Sequence, residues 1–269
     1  MTVKEWLGED NQLGVDIWER KYCHDGESFD EWLERVSGGS VEVRQAIIDK
    51  KFLFGGRILA NRGIKGKRVT YSNCYVLTPP EDNLESIYDT CKNLARTYSA
   101  GGGCGVDISN LAPKGAKVNN AAGTSSGAVS FMDTFSQVTG QIGQSGRRGA
   151  LMLSMRDTHP DLEDFIDCKL DLDKVNFANI SVMMSDEFMK CVQNNGEWKL
   201  EFTRPETGEK ITKLVRARDI LYKLAKNNWE MGEPGCLFWD RIKNYSLLSE
   251  DKNFSFAGVN PCAGIFGSR

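Results

Sequence analysis

The chain has 269 residues, with Lys+Arg 34 against Asp+Glu 37, 40% hydrophobic and 10% aromatic residues. This length fits one large domain or two small ones, and the composition excludes collagen-like and disordered chains. The net charge of −3 argues against a protein that wraps nucleic acid, and no apolar run is long enough for a membrane span or a signal peptide.

The eight cysteines are scattered along the chain, and none forms a Cys-x-x-Cys pair. Histidine occurs only at positions 24 and 159. These counts argue against a zinc site and against a disulfide scaffold, so we predict no bound metal. They also favour a reducing, cytoplasmic setting.

Residues 1–70 are predicted to form an N-terminal helical region. Apolar residues recur at helical spacing over 29–36 and again over 43–48, and Ser28 with Glu31 forms a candidate capping box. A Gly- and Ser-rich stretch at 37–40 separates these two helices. The segment 52–68 is rich in Gly and Arg, and we expect few elements there.

Residues 71–257 alternate between short apolar runs and amphipathic segments. Strands are predicted at 74–77, 105–108, 150–155, 179–184 and 235–239, and a hairpin at 197–202 and 209–214. Helices are predicted from 84 with an apolar stripe at Leu84, Ile87, Leu94 and Tyr98, and at 125–142, 159–169, 185 onward and 218–229. The alternation indicates a buried parallel sheet of about five strands. Residues 258–269 look loop-like.

Two glycine clusters, 101–105 and 143–149, invite a nucleotide-binding interpretation. Each follows a helix and precedes a strand, the reverse of a dinucleotide fingerprint, and the second lacks the Lys-Ser/Thr pair of a phosphate loop. Tight turns explain both clusters. The adjacent Arg147 and Arg148 equally suit a loop that contacts phosphate or a base edge.

Other candidates are ambiguous from the residues alone. Composition favours a solvated loop for the segment 110–123, and Cys74 and Cys104 suit packing beside strand ends. Cys262, in Asn-Pro-Cys, is a rigid loop-borne thiol for which packing and chemistry remain equally open. His159 before Pro160 is typical of a helix start.

Five segments taken together resemble the large catalytic subunit of ribonucleotide reductase. They are 54–61 (FGGRILAN), 72–77 (SNCYVL), 101–109 (GGGCGVDIS), 144–150 (QSGRRGA) and 260–262 (NPC). The third segment and the short N-terminal region resemble the adenosylcobalamin-dependent branch, called class II.

The resemblance implies an α/β fold: an N-terminal helical region followed by the first half, about five parallel strands, of a ten-stranded α/β barrel. Its domains would be the helical region 1–70, the half-barrel with effector-binding loops 71–257, and a truncated finger loop with a divergent tail 258–269. The finger loop of the family threads the barrel centre and carries the radical cysteine.

The resemblance also implies catalytic roles. Cys262 matches the cysteine whose thiyl radical abstracts the ribose 3′-hydrogen, and Cys74 matches one thiol of the dithiol that reduces the 2′-carbon. Asn260 matches an amide that hydrogen-bonds the ribose. The substrate-lining positions are matched by Ser72, Asn73, Gly102 and Gly103.

Regulation and partners follow from the same resemblance. The site for dNTP and ATP effectors maps to Asp82, Lys114, Lys117, Val118 and Asn119, with Arg148 as the side chain that relays effector identity. Dimer helices flank this site in the family, which implies a homodimer. The resemblance also implies adenosylcobalamin as the cofactor, a ribonucleotide as the substrate and a thioredoxin-like protein as the reductant.

The chain departs from the family after Cys262. The family motif is Asn-x-Cys-x-Glu, whose Glu is the general base, but Gly264 stands at the fifth position. The second reducing cysteine, the substrate phosphate loop and the other half-barrel would lie beyond residue 269. We therefore expect an N-terminal half that is inactive alone, with a C-terminal half on another chain as one option. The alternatives are a non-catalytic dNTP-binding and dimerisation fragment, or an aggregation-prone remnant.

Overall fold

The computed structural model describes residues 1–118, 121–144, 147–264 and 266–268. Side chains are described for all of these except 143–144, 147–148 and 266–268. The chain divides into two compact units, Met1–Asn73 and Cys74–Arg269. Each is described by itself below.

The first unit is helical. Its helices are α1 (Val3–Leu7), α2 (Gln12–Ile17), which continues into a π-helical turn (Trp18–Tyr22), α3 (Phe29–Ser37), α4 (Val41–Ile48) and α5 (Gly56–Asn61). The short helix α5 lies inside the segment for which the sequence predicted few elements.

The aromatic core of this unit follows from the helical period of α3. All four apolar positions of that period are buried, and they pack with Trp18 and Ile47. The predicted capping box at the start of α3 is present. The Ser28 Oγ accepts from Glu31 N at 3.3 Å, and Glu31 Oε2 accepts from Ser28 N at 2.7 Å. Two of the backbone N–H groups that lack an intrahelical partner at this end are thus bonded.

The second unit is an α/β structure built on one parallel sheet. The sheet contains β1 (Cys74–Val76), β2 (Gly103–Asp107), β5 (Leu151–Arg156), β6 (Asn179–Met184) and β9 (Gly235–Phe238), in that spatial order. All four pairings are parallel. The predicted α/β class with about five parallel strands is confirmed.

Helices cover one face of this sheet. They are α6 (Leu84–Ser99), α7 (Ala128–Gln141), α8 (Leu162–Asp167) with a 3-10 turn (Cys168–Leu170), α9 (Asp186–Gln193) and α10 (Ala217–Met231). Helix α11 (Trp239–Tyr245) instead packs Trp239 and Ile242 into a separate cluster with the opposite strand residues Met152 and Met183. The main core forms between the helices and alternate strand residues such as Cys104, Val106, Leu151 and Leu153. The opposite strand residues face the inner side of the half-barrel.

Three antiparallel strand pairs accompany this sheet among the residues that the structure describes. They are β3 (Gly143–Gln144) with β4 (Arg147–Arg148), β7 (Glu197–Thr203) with β8 (Lys210–Arg216), and β10 (Phe256–Val259) with β11 (Phe266–Ser268). The β7–β8 hairpin is the predicted one.

Four expectations are wrong in detail. The tail is not merely loop-like, because β11 lies within it and pairs with β10, which begins two residues before it. Helix α11 was not predicted. Strand β1 is half-buried rather than buried, because it lies at the sheet edge and pairs only with β2. Leu84 is 55% exposed and lies outside the apolar stripe, since it is the first residue of α6.

Among the described residues, no helix has both the length and the apolar character needed to cross a bilayer.

Candidate active site

Cys74 begins β1 on the inner face of the sheet. It is in register with Gly103, so both residues point to the same side. A Cβ built on Gly103 would lie 3.1 Å from the Pro261 ring. The predicted reducing thiol, the glycine and the loop residue that precedes Cys262 therefore converge at the amino-terminal end of the sheet.

Strand β10 crosses the inner face of β2 in direct backbone contact. A Cβ on Gly105 would lie 1.6 Å from the Val259 carbonyl oxygen and 3.1 Å from the Asn260 Cα. No side chain fits in that space, and glycine is the residue that leaves it open. The chain thus runs along β2 toward its amino-terminal end and delivers Cys262 there.

Asn260 organises the turn that carries this thiol. Its Oδ1 accepts from Gly264 N at 2.8 Å, and its Nδ2 donates to the Cys262 Sγ at 3.3 Å. The Asn260 carbonyl also accepts from Ala263 N at 2.9 Å. Asn260 is 1% exposed, whereas Cys262 is exposed. The amide is therefore committed to shaping the loop, and the thiol is presented to ligands.

We expect Asn260→Ala to destabilise the chain by about 1–3 kcal/mol, because the turn loses two hydrogen bonds made by a buried side chain. Urea unfolding measures this. Asn260→Asp keeps the oxygen that Gly264 N needs but places a carboxylate beside the sulfur. We expect slower alkylation of Cys262 by iodoacetamide in this variant, because a neighbouring negative charge disfavours the thiolate. An unchanged alkylation rate would contradict the assigned amide orientation.

The other residues predicted to line the substrate are Gly102, Ser72 and Asn73, and they belong to different units of the chain. Gly102 packs tightly, since a Cβ there would lie 2.7 Å from Tyr75 Cε2 and 2.8 Å from Thr97 Cγ2. Ser72 and Asn73 are exposed and belong to the first unit, so they are not placed relative to Cys74. Cys104 points to the helical side, where burial raises the pKa of its thiol to about 12. That environment is typical of a packing residue.

Asp82, the first predicted effector contact, borders a cavity of about 590 Å³ at the carboxyl-terminal end of the sheet. Its Oδ1 accepts from Ala112 N at 2.8 Å, and its Oδ2 accepts from Arg204 Nε at 3.0 Å. The side chain was predicted to touch a ligand. In the structure it holds the loop that follows β2.

The predicted effector loop is held by other carboxylates as well. Asp161 accepts from Lys114 N at 3.0 Å and from Ala128 N at 3.0 Å, and Glu209 accepts from Lys117 N at 3.1 Å. Val118 N donates to the Gly123 carbonyl at 3.1 Å. Asn119 and the side chain of Arg148 lie outside the described residues.

His159 is a buried residue that contacts the loop after β2, whereas the sequence indicated only a helix start. It is 2% exposed, its Nε2 lies 2.9 Å from the Leu111 carbonyl, and its Nδ1 accepts from Asp161 N at 3.0 Å. These partners assign the proton to Nε2 in a neutral ring. Burial lowers the pKa of His159, and this effect outweighs the raising effects of the Leu111 carbonyl and of nearby Asp161. The Pro160 that follows it masked this role in the sequence.

This histidine predicts a dependence of stability on pH. Because its pKa is lower in the folded chain, the unfolded chain binds more protons below about pH 6.5, and stability is lost as the pH falls through that range. Buried Asp107 and Asp157 have raised pKa values, mainly from burial, and act in the opposite direction. We expect the free energy of unfolding of His159→Gln to fall less steeply between pH 7.5 and pH 5 than that of the unmodified chain. A slope equal to that of the unmodified chain would contradict the assignment.

Among the described residues, no cluster of three or more His, Cys, Asp or Glu could hold a metal ion. The inner face presents the Cys74 thiol, and the hairpin that crosses it carries the Asn260 amide and the Cys262 thiol. The second unit is thus a parallel α/β half-barrel with one thiol on its first strand and a second thiol in the turn of a hairpin that crosses its interior.

Residues 72–268 match the family model described as ribonucleotide reductase, barrel domain. The chain belongs to the ribonucleotide reductase family. It is 37% identical over 207 residues to the vitamin B12-dependent ribonucleoside-diphosphate reductase of Thermoplasma acidophilum, covering 76% of this chain and 26% of that protein. Against the protein of the same name from Mycobacterium tuberculosis, identity is 36% over 196 residues, covering 72% and 28%.

A more distant relative is the ribonucleoside-diphosphate reductase large subunit of Arabidopsis thaliana, 28% identical over 204 residues and covering 66% of this chain and 25% of that protein. The chain thus spans about a quarter of the length of the curated relatives it matches.

Proposed function

We propose that this chain is part of a ribonucleotide reductase that makes deoxyribonucleotides from ribonucleoside di- or triphosphates by thiyl-radical chemistry. The supporting observation is the convergence of Cys74 and the Cys262 turn at one end of the inner face. Gly103 and Gly105 permit this approach because neither carries a side chain. The relatives with the same barrel domain bear the names of such reductases.

In this proposal, the Cys262 sulfur removes the 3′-hydrogen atom of the ribose and later returns it. Cys74 acts with a second thiol. The pair closes to a disulfide and supplies two electrons and two protons. One proton joins the 2′-hydroxyl, which leaves as water, and the other becomes the hydrogen of the reduced 2′-carbon. A thioredoxin-like dithiol then reduces the disulfide. Asn260 holds the Cys262 sulfur through its Nδ2 during these steps.

Adenosylcobalamin is the proposed cofactor, because the relatives at 36–37% identity are named vitamin B12-dependent. The exposed Cys262 thiol fits this assignment, since a cofactor can approach it from outside the chain. When bound, the cofactor supplies the radical that Cys262 receives. Among the described residues, we assign Cys262 to face the cofactor.

Residue 264 is a glycine, so it cannot act as a general base in the proposed reaction. Its backbone N–H donates to Asn260, and it has no side chain that could take the proton of the ribose 3′-hydroxyl. A general base typically contributes about 10²–10⁴-fold to rate. In this chain, residue 264 does not supply that contribution.

Formation of the cofactor radical tests the proposal without requiring complete turnover. The chain is mixed with adenosylcobalamin, a ribonucleotide and dithiothreitol, and the cob(II)alamin signal is followed by electron paramagnetic resonance. We expect a signal that Cys262→Ser abolishes. Cys236→Ser is the matched control, because Cys236 is also an exposed thiol. Equal signals from the unmodified chain and Cys262→Ser would contradict the proposal.

A second candidate function, dNTP or ATP binding with homodimerisation and no catalysis, has observations of its own. The cavity of about 590 Å³ borders Asp82. Lys114 and Lys117 are exposed, and their ammonium groups have no ion pair within the described part of the chain. Helix α6 also exposes Leu84 and Tyr88, at 55% and 59%, one turn apart. Cations suit phosphates, and exposed apolar side chains suit a helix interface.

For this candidate, we expect Asp82→Ala to weaken dNTP binding at least about tenfold, since the loop after β2 loses its anchor at Ala112. Titration calorimetry with dTTP and dATP measures the affinity. The control is Asp219→Ala, which removes an exposed carboxylate from α10. Equal affinities in both variants would exclude a role for Asp82.

A further inference from the structure

The loop segment 111–118 is held by side chains from three other elements. Its backbone contacts come from Asp82, two residues before α6, from the segment before α8, and from the turn end of the β7–β8 hairpin. The contributing side chains are Asp82, His159, Asp161, Arg204 and Glu209. A loop anchored in this way keeps one shape only while each of those elements stays in place.

Arg204 connects two of these elements directly. It lies just after β7 and is 6% exposed. Its Nε donates to Asp82 Oδ2 at 3.0 Å, and its Nη1 donates to the Lys117 carbonyl. One guanidinium therefore spans the start of α6 and the middle of the loop. The fixed fork of donors in Arg allows both bonds at once.

The hairpin also holds Lys117 from its other side. Glu209 Oε2 accepts from Lys117 N at 3.1 Å, and Glu209 is tied to Arg204 because its carbonyl accepts from Arg204 N at 2.8 Å. Both backbone groups of Lys117 are therefore bonded to one hairpin end. Loss of the guanidinium would release the carbonyl and leave Asp82 without its charged partner.

The anchoring leaves the lysine side chains of the loop available. Only the backbone of Lys114 and Lys117 is engaged, and both side chains are exposed. Carboxylates hold the amides, while the ammonium groups face solvent, where they can meet an anionic ligand. The Arg204–Asp82 pair is far less exposed, at 8% and 15% of the side-chain surface. It is better suited to holding structure than to contacting a ligand.

We propose that Arg204 is a positioning residue for nucleoside triphosphate binding, acting through Asp82 and the Lys117 carbonyl to set the loop that presents Lys114 and Lys117. This inference rests on the proposed dNTP-binding function and adds the β7–β8 hairpin to it. The hairpin itself contacts no phosphate in this proposal. It determines affinity by fixing the loop before the ligand arrives.

Calorimetric titration of the full chain with dTTP tests the inference. We expect Arg204→Gln to weaken binding at least about tenfold. The matched control is Arg218→Gln, because Arg218 is also a guanidinium that donates to backbone carbonyls, those of Val192 and Gln193, but at the end of α9 and away from the loop. Equal weakening in both variants would indicate general destabilisation and would overturn the inference.

Two further variants show whether Arg204→Gln weakens binding through the proposed connection or through misfolding. They are the conservative variant Arg204→Lys and a double variant. Arg204→Lys keeps the charge but offers a single nitrogen, so we expect an intermediate affinity. Asp82→Asn with Arg204→Gln should bind about as weakly as Arg204→Gln alone, because both changes remove the same connection. Losses that add in the double variant would show that the two residues act separately.

Hydrogen exchange separates failure of this inference from failure of the proposed function. Arg204→Gln should speed exchange at the amides of Ala112 and Lys117, whereas Arg218→Gln should not. If the unmodified chain binds no dNTP, the binding function is wrong and this inference falls with it, whatever the exchange shows. If the unmodified chain binds and Arg204→Gln binds equally well, only the inference is overturned.

Discussion

Gly105→Ala is expected to displace the β10–β11 hairpin from the inner face of the sheet and to destabilise the chain by about 3 kcal/mol, the upper end of the usual overpacking cost. The added Cβ would lie 1.6 Å from the Val259 carbonyl oxygen. That neighbour is backbone, so no side-chain rotation relieves the overlap. Urea unfolding gives the free energy, and hydrogen exchange at the Val259 amide reports the displacement.

The control for this substitution lies in the same hairpin. A Cβ on Gly264 meets nothing within 4 Å, and alanine keeps the N–H that donates to Asn260. We expect Gly264→Ala to change stability by less than about 0.5 kcal/mol, as for surface substitutions in general. Similar unfolding curves for the two variants would show that β10 does not lie against β2 in solution.

Asp161→Ala is expected to cost about 3–5 kcal/mol, because its buried carboxylate bonds two backbone N–H groups and each bond to a charged group is worth about 1.5–3 kcal/mol. One of these groups, Ala128 N, belongs to the first residue of α7, where a negative charge also favours the helix end. The other, Lys114 N, belongs to the loop after β2. Thermal and urea unfolding measure the loss.

Two companion variants sharpen this second result. Asp161→Asn keeps one oxygen as an acceptor and should lose less than the alanine variant. Asp164→Ala removes an exposed carboxylate from the first turn of α8 and should be nearly neutral. A small cost for Asp161→Ala, comparable to that of Asp164→Ala, would contradict the bond pattern assigned to the loop.

The parallel sheet could be predicted from the sequence because its strands are short apolar runs separated by amphipathic helices. The prediction for β6 matches its bounds at 179 and 184, and the β7–β8 hairpin was expected from two runs around a Gly-containing turn. At these strands the local sequence pattern and the tertiary fold favour the same structure. The tail was missed because β10 and β11 are short and pair only with each other.

The candidate site was only partly predictable. Cys262 and Cys74 stood out through the family resemblance, whereas their shared location depends on the register between β1 and β2 and on contacts with a distant hairpin. Arg204 gave no signal in sequence, because an arginine beside a turn is typical of a solvated surface. Its partners, Asp82 and Lys117, are distant along the chain and meet it only in the fold.

The glycine-lined inner face of β2 has a consequence for the order of folding. Barrel interiors are commonly filled by side chains from their own strands, but here the backbone of β10 fills the space above Gly105. That contact joins positions about 150 residues apart, and closing so long a loop costs entropy before any contact forms. The sheet and its helices can form from more local contacts. The thiol-bearing hairpin is therefore expected to dock last, onto a sheet that is already assembled.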